Sequence, residues 1–112
     1  MDTQLLLLIL IFLYLLFTKP KTETLVTGDP EVKIIDFEYS PKDIKIKKGS
    51  TITWTNYDEE AHTVTSEDSD DPYLDSPFLE VEESFSKKFN KKGTFYYYCV
   101  PHPYMKGSVT VV

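Results

Sequence analysis

Residues 99–105 read Cys-Val-Pro-His-Pro-Tyr-Met and gather the chain's only cysteine, one of its two histidines and its only methionine apart from Met1. Thiolate, imidazole and thioether are donors for a borderline-soft metal. A trigonal set of two His and one Cys with a weak axial Met is the arrangement associated with copper electron-transfer sites. Cys99, His102 and Met105 supply three of those donors. The fourth has to be His62, because no other histidine exists in the chain. A structural zinc site usually pairs its Cys or His closely and finds Met a poor ligand. A Cys–His nucleophile needs no methionine, and nothing in the chain resembles an oxyanion hole or an orienting acid. One cysteine excludes an internal disulfide and leaves a free thiol, an intermolecular bridge or a metal ligand. Taken singly, His62 reads as a surface histidine and Met105 as core packing; only the combination points to a metal.

The elements that must bring His62 to the 99–105 stretch read as strands. The runs at 32–39 (VKIIDFEY), 44–49 (IKIKKG), 51–56 (TITWTN), 61–67 (AHTVTSE), 84–90 (SFSKKFN), 94–99 (TFYYYC) and 108–112 (SVTVV) are short and rich in Ile, Val, Thr and aromatics. Ser-Pro-Lys-Asp, Gly-Ser and Lys-Lys-Gly separate several of them, which are turn signals. Seven or eight short strands with no helical periodicity predict a small antiparallel sandwich or barrel. If Cys99 faces inward, Phe95 and Tyr97 share its face while Tyr96 and Tyr98 face outward. Trp54, by its strand position, is assigned to the core. Pro101 and Pro103 flank His102 and restrict the backbone on both sides of it.

The N-terminus is a separate object. Residues 5–17 (LLLLILIFLYLLF) are unbroken apolar sequence ended by Lys19-Pro20-Lys21. As a helix this run reaches roughly 20 Å, short of a hydrocarbon core of about 30 Å. The length suits a signal peptide or a thin membrane anchor. No small-x-small cleavage site follows, which favours an uncleaved anchor, whereas lysines placed after the apolar run oppose the charge rule for that topology. The division expected is therefore a signal peptide or anchor at 1–18, a polar linker at 19–30 and one folded domain at 31–112.

Two stretches carry a family resemblance. Residues 37–65 (FEYSPKDIKIKKGSTITWTNYDEEAHTVT) and 93–111 (GTFYYYCVPHPYMKGSVTV) resemble a cupredoxin of the plastocyanin and amicyanin group. The Gly-x-x-Ile-x-Trp-x-Asn pattern before His-Thr-Val is specific, and Tyr-Cys-x-Pro-His-x-x-Met is more so. The two-residue gap between His102 and Met105, with Pro103 after the histidine, is similar to amicyanin. The resemblance implies an all-β, eight-stranded Greek-key sandwich that carries single electrons on one type 1 copper. It implies His62, Cys99 and His102 as strong ligands and Met105 as the axial one. It also implies that Asn56 ties the two ligand loops together and that Tyr98 and Pro103 lie on an electron route. Val100 stands where the family commonly has Ser or Thr, so a hydroxyl partner for Asn56 is missing.

Charge bears on partners. The net charge is −6 and the chain has no arginine, which argues against nucleic acid. Apart from His62, every ionisable residue from Asp58 to Glu83 is acidic apart from its tyrosine, and the lysines cluster at 42–48 and 87–92. An acidic loop at 66–83, including Asp70, Asp71, Glu82 and Glu83, would steer a basic redox partner such as a cytochrome. The expectation is an extracytoplasmic, monomeric electron carrier and no enzyme, membrane-anchored or secreted, with a membrane oxidoreductase as another possible partner. A copper-delivery or storage protein using the same ligands is the alternative.

Overall fold

The computed structural model describes residues 2–17 and 24–112. Helix α1 (Thr3–Phe17) is apolar on every face, and its side chains from Leu5 to Tyr14 are exposed. At 15 residues it spans about 22 Å. No helix among the described residues is long and apolar enough to cross a membrane. The predicted junction between anchor and linker, at 18–23, lies outside the described residues.

Nine strands follow among the described residues: β1 (Leu25–Val26), β2 (Glu31–Ile35), β3 (Glu38–Ser40), β4 (Asp43–Ile46), β5 (Thr51–Asn56), β6 (Thr65–Ser66), β7 (Ser84–Lys88), β8 (Gly93–Cys99) and β9 (His102–Val111). They form two sheets, ordered β1-β4-β9-β8-β6 and β3-β2-β5-β7. This is the expected sandwich, with no closed barrel. Its sheets are mixed rather than antiparallel, because β1 with β4, β4 with β9 and β2 with β5 run parallel. Strand pairing already begins at Leu25, inside the stretch read as linker.

Alternation places the core where the sequence pattern puts it. Val32 and Ile34 of β2, Ile44 and Ile46 of β4, Ile52 and Trp54 of β5, Tyr97 and Cys99 of β8, and Val109 and Val111 of β9 are buried between the sheets. Each large aliphatic so buried contributes about 1.5–3 kcal/mol relative to exposure. Tyr96 is exposed and Tyr98 half-buried, as the period of two requires. The Trp54 Nε1–H donates to the Tyr97 hydroxyl at 3.2 Å, which satisfies the one polar atom that this core indole carries.

Two turns depart from the sequence reading. The run at 32–39 is two strands joined at Asp36-Phe37, both left-handed at φ 54° and 57°. The 99–105 stretch is no open loop: β8 ends at Cys99 and β9 starts at His102, leaving only Val100 and Pro101 between them. The ladder pairs Cys99 with His102 and Tyr98 with Lys106. Pro103, Tyr104 and Met105 therefore occupy a register shift in one strand, a bulge-like place that tolerates proline because no ladder donor is required.

Candidate metal centre

His62 follows β5 and is held by backbone bonds in both directions with Leu79: its N–H donates to the Leu79 carbonyl at 3.1 Å, and its carbonyl accepts the Leu79 N–H at 2.8 Å. Its Nε2 lies 2.8 Å from Asp58 Oδ2. With Nε2–H donated to that carboxylate, the lone pair sits on Nδ1, and the outer hydrogen bond thus selects which nitrogen faces inward. Cys99 closes β8 with its sulfur fully buried, and His102 opens β9 with its ring half-buried.

Three donors converge. His62 Nδ1 is 3.2 Å from His102 Nδ1 and 3.5 Å from Cys99 Sγ, and His102 Nδ1 is 3.6 Å from the same sulfur. A triangle with these edges has a centre about 2 Å from each corner, the length of a first-row metal–nitrogen bond. The donor set and its size therefore fit one soft or borderline metal ion. Among the described residues, this is the group of His, Cys and carboxylate donors with that convergence. Met105 is buried in the same hairpin, three residues beyond His102.

Asn56 is fully buried and makes a different set of ties from the one expected of it. Its Nδ2–H₂ donates to the carbonyls of Glu60 and Leu79, each at 2.8 Å, and its Oδ1 accepts the Asp58 N–H at 2.9 Å. It staples the 56–62 loop to the 79–83 loop. The link to the Cys99 hairpin comes instead from Thr63, whose N–H donates to Cys99 Sγ at 3.4 Å and whose hydroxyl accepts the Val100 N–H at 2.9 Å. The hydroxyl absent at Val100 is thus supplied from the other loop.

Asp58 and Phe37 also reach the site, and neither carried a signal in the sequence. Burial pushes the Asp58 carboxyl up, but N–H bonds from Phe37 and Asp36 and the contact with His62 outweigh it and hold the group below its ordinary range. The Phe37 ring meets both imidazoles edge-on, at 5.1 Å from His62 and 5.0 Å from His102. Asp58 gives no pattern beyond an acidic turn, and Phe37 sits in a run whose alternation reads as unbroken strand.

The acidic stretch divides. Asp71 pairs with Lys91 at 3.4 Å in the turn that precedes β8, at the opposite end of that strand from Cys99. Glu80, Glu82 and Glu83 lie by the metal-binding loops, since Asn56 exchanges backbone bonds with Glu82 and Glu83.

Comparison with known proteins agrees with this geometry. Residues 26–112 match the copper binding proteins of the plastocyanin/azurin family. The chain belongs to that family. It is 40% identical over 86 residues to amicyanin-alpha of Methylorubrum extorquens, covering 75% of this chain and 72% of that one. The crystal structure of amicyanin from Paracoccus versutus superposes with a TM-score of 0.70 at 26% identity, over 78% of this chain and 84% of that one. A purple cupredoxin from Nitrosopumilus maritimus superposes with a TM-score of 0.67 at 33% identity, over 75% of this chain and all of that one (100%). The sandwich is thus a cupredoxin fold, and the His62–Cys99–His102 triangle is where a member of this copper-binding family can hold one copper ion.

Proposed function

We propose that this cupredoxin is a one-electron carrier, with His62, Cys99 and His102 as the strong copper ligands and Met105 as the axial one. The observation that carries the reading is the convergence of two Nδ1 atoms and one thiol within 3.2–3.6 Å of one another. Copper bound there supplies a one-electron couple. The chain's part is to keep the donors in one arrangement through both oxidation states, and the backbone bonds of His62 and the two-residue β8–β9 turn limit their movement. Half-buried His102 is the route to a partner, with Pro103 beside it, and outward-facing Tyr98 is a second route next to Cys99. No substrate bond is made or broken in this role.

The partner is a redox protein with a basic docking face, met by Glu80, Glu82 and Glu83. Helix α1 serves export, either as a cleaved signal or as a short anchor that leaves the sandwich, from β1 onward, outside the cytoplasm. The mass of the mature protein from an exporting host decides between these: loss of the first residues fits a signal, and an intact chain in the membrane fraction fits an anchor. An intact chain in the cytoplasm would remove the export reading.

The function is tested by loading the chain with copper(II). An intense thiolate-to-copper band should appear in the visible spectrum and vanish in Cys99→Ser, and electron self-exchange should be fast. A colourless protein that yields its copper readily to chelators overturns the carrier role.

A further inference from the structure

The turn between β2 and β3 places two consecutive non-glycine residues in the left-handed region, Asp36 at φ 54° and Phe37 at φ 57°. Tight two-residue hairpins favour this conformation, yet they usually place glycine at the second position. For an L-residue this conformation is strained, because Cβ crowds the backbone carbonyl, and such strain persists only where surrounding contacts over-determine it. Here one carboxylate does so. Asp58 Oδ1 accepts the Asp36 N–H at 2.8 Å and Oδ2 accepts the Phe37 N–H at 2.9 Å. The same Oδ2 lies 2.8 Å from His62 Nε2. The turn and the first imidazole are therefore fixed by a single side chain.

The strained turn aims Phe37 at the donor cluster. Its ring stands nearly perpendicular to both imidazoles, at 87° to His62 and 86° to His102, while those two rings are 4.9 Å apart and tilted by 60°. An aromatic edge seated against two rings at once restricts both, because edge-to-face contacts favour one relative orientation of the rings. His62 has the Asp58 bond to orient it as well. His102 has ring contacts with Phe37 and with Tyr104, at 6.2 Å, and its approach to Cys99 and His62. Phe37 is thus the packing contact that the two donor rings share.

We propose that Phe37, locked in its left-handed turn by Asp58, is a positioning residue that sets both imidazoles before the metal arrives. The proposal rests on the reading of His62 and His102 as ligands, and it assigns the turn a purpose that core packing does not require. A residue that only filled space would tolerate an aliphatic side chain of similar bulk.

The test uses the full chain with two readouts. One is the set of imidazole nitrogen signals of His62 and His102 in the metal-free protein. The other is the rate at which the copper(I) form loses metal to a chelator. Phe37→Ala and Phe37→Leu should broaden or shift the His102 signals and speed release about tenfold, the low end of the effect known for groups that orient metal ligands. Asp58→Asn should do at least as much, since it also weakens the hold on His62 Nε2, and adding Phe37→Ala to it should change release little further, because Phe37 depends on Asp58 for its place in the turn. Adding Asp36→Gly to Asp58→Asn relieves the backbone strain and should slow release again. Wild-type signals and release in Phe37→Leu, or multiplying effects of Phe37→Ala and Asp58→Asn, overturn the proposal. A wild-type chain that takes up no copper would instead overturn the ligand reading, while the metal-free signals still test the positioning.

Discussion

Cys99 reaches its neighbours through Thr63, which donates its N–H to the sulfur and accepts the Val100 N–H on its hydroxyl. The N–H bond fixes where the sulfur sits relative to the His62 loop. The hydroxyl bond has a separate task, to keep the short β8–β9 turn against the loop that carries His62. Thr63→Val keeps the N–H and the side-chain shape but leaves the Val100 donor without its partner. The expected loss is about 1 kcal/mol of stability in the metal-free protein, read from the urea midpoint, with Thr63→Ser close to wild type. Equal midpoints for the Val and Ser variants would show that the hydroxyl contributes nothing. None of this pairing is legible locally: Val100 and Thr63 are 37 residues apart, and a sequence reading sees only that Val100 lacks a hydroxyl.

Among the elements, the β8–β9 pair governs the site, because its ladder pairs Cys99 with His102 and its register shift carries Met105. Its register is held by close contact in the middle. A Cβ on Gly107 would stand 2.5 Å from the Tyr97 ring carbon and hydroxyl and 2.8 Å from the Lys42 carbonyl. Tyr97 cannot swing aside, being fully buried and bonded to Trp54. Burial raises the Tyr97 pKa, so the phenol stays neutral and keeps that place across the physiological range. Gly107→Ala should therefore destabilise the fold by about 1–3 kcal/mol, the usual cost of overpacking a tight core. An unchanged thermal midpoint would mean that β9 shifts freely, which the ladder argues against. The strand character of 93–99 was legible from alternation. The strand at 102–105 was not, because two prolines beside His102 read as a turn and only pairing with β8 reveals the register shift.

Across the whole molecule the charge is sorted in a way its linear order hides. The acidic residues from Asp58 to Glu83 form one block in sequence, but the fold sends Asp71 to Lys91 and keeps Glu80, Glu82 and Glu83 by the metal-binding loops. Neutralising these three glutamates to Gln should slow electron exchange with a basic haem protein at low salt, and the difference should fade as salt screens it. Neutralising Asp70 and Asp71 should leave the rate near wild type; an equal slowing by both sets would show that net charge alone matters. By itself the sequence determined the donor inventory and the faces of the strands, since residue types and a period of two are properties of neighbours along the chain. It also placed Trp54 and Tyr97 in the core and indicated an apolar N-terminal helix. Only the tertiary structure decided that Thr63 ties the His62 loop to the Cys99 hairpin while Asn56 ties it to the 79–83 loop, that Asp58 and Phe37 border the imidazoles, and that the acidic block divides. Those outcomes depend on strand register and on how two sheets pack, and both are fixed by many distant contacts acting together.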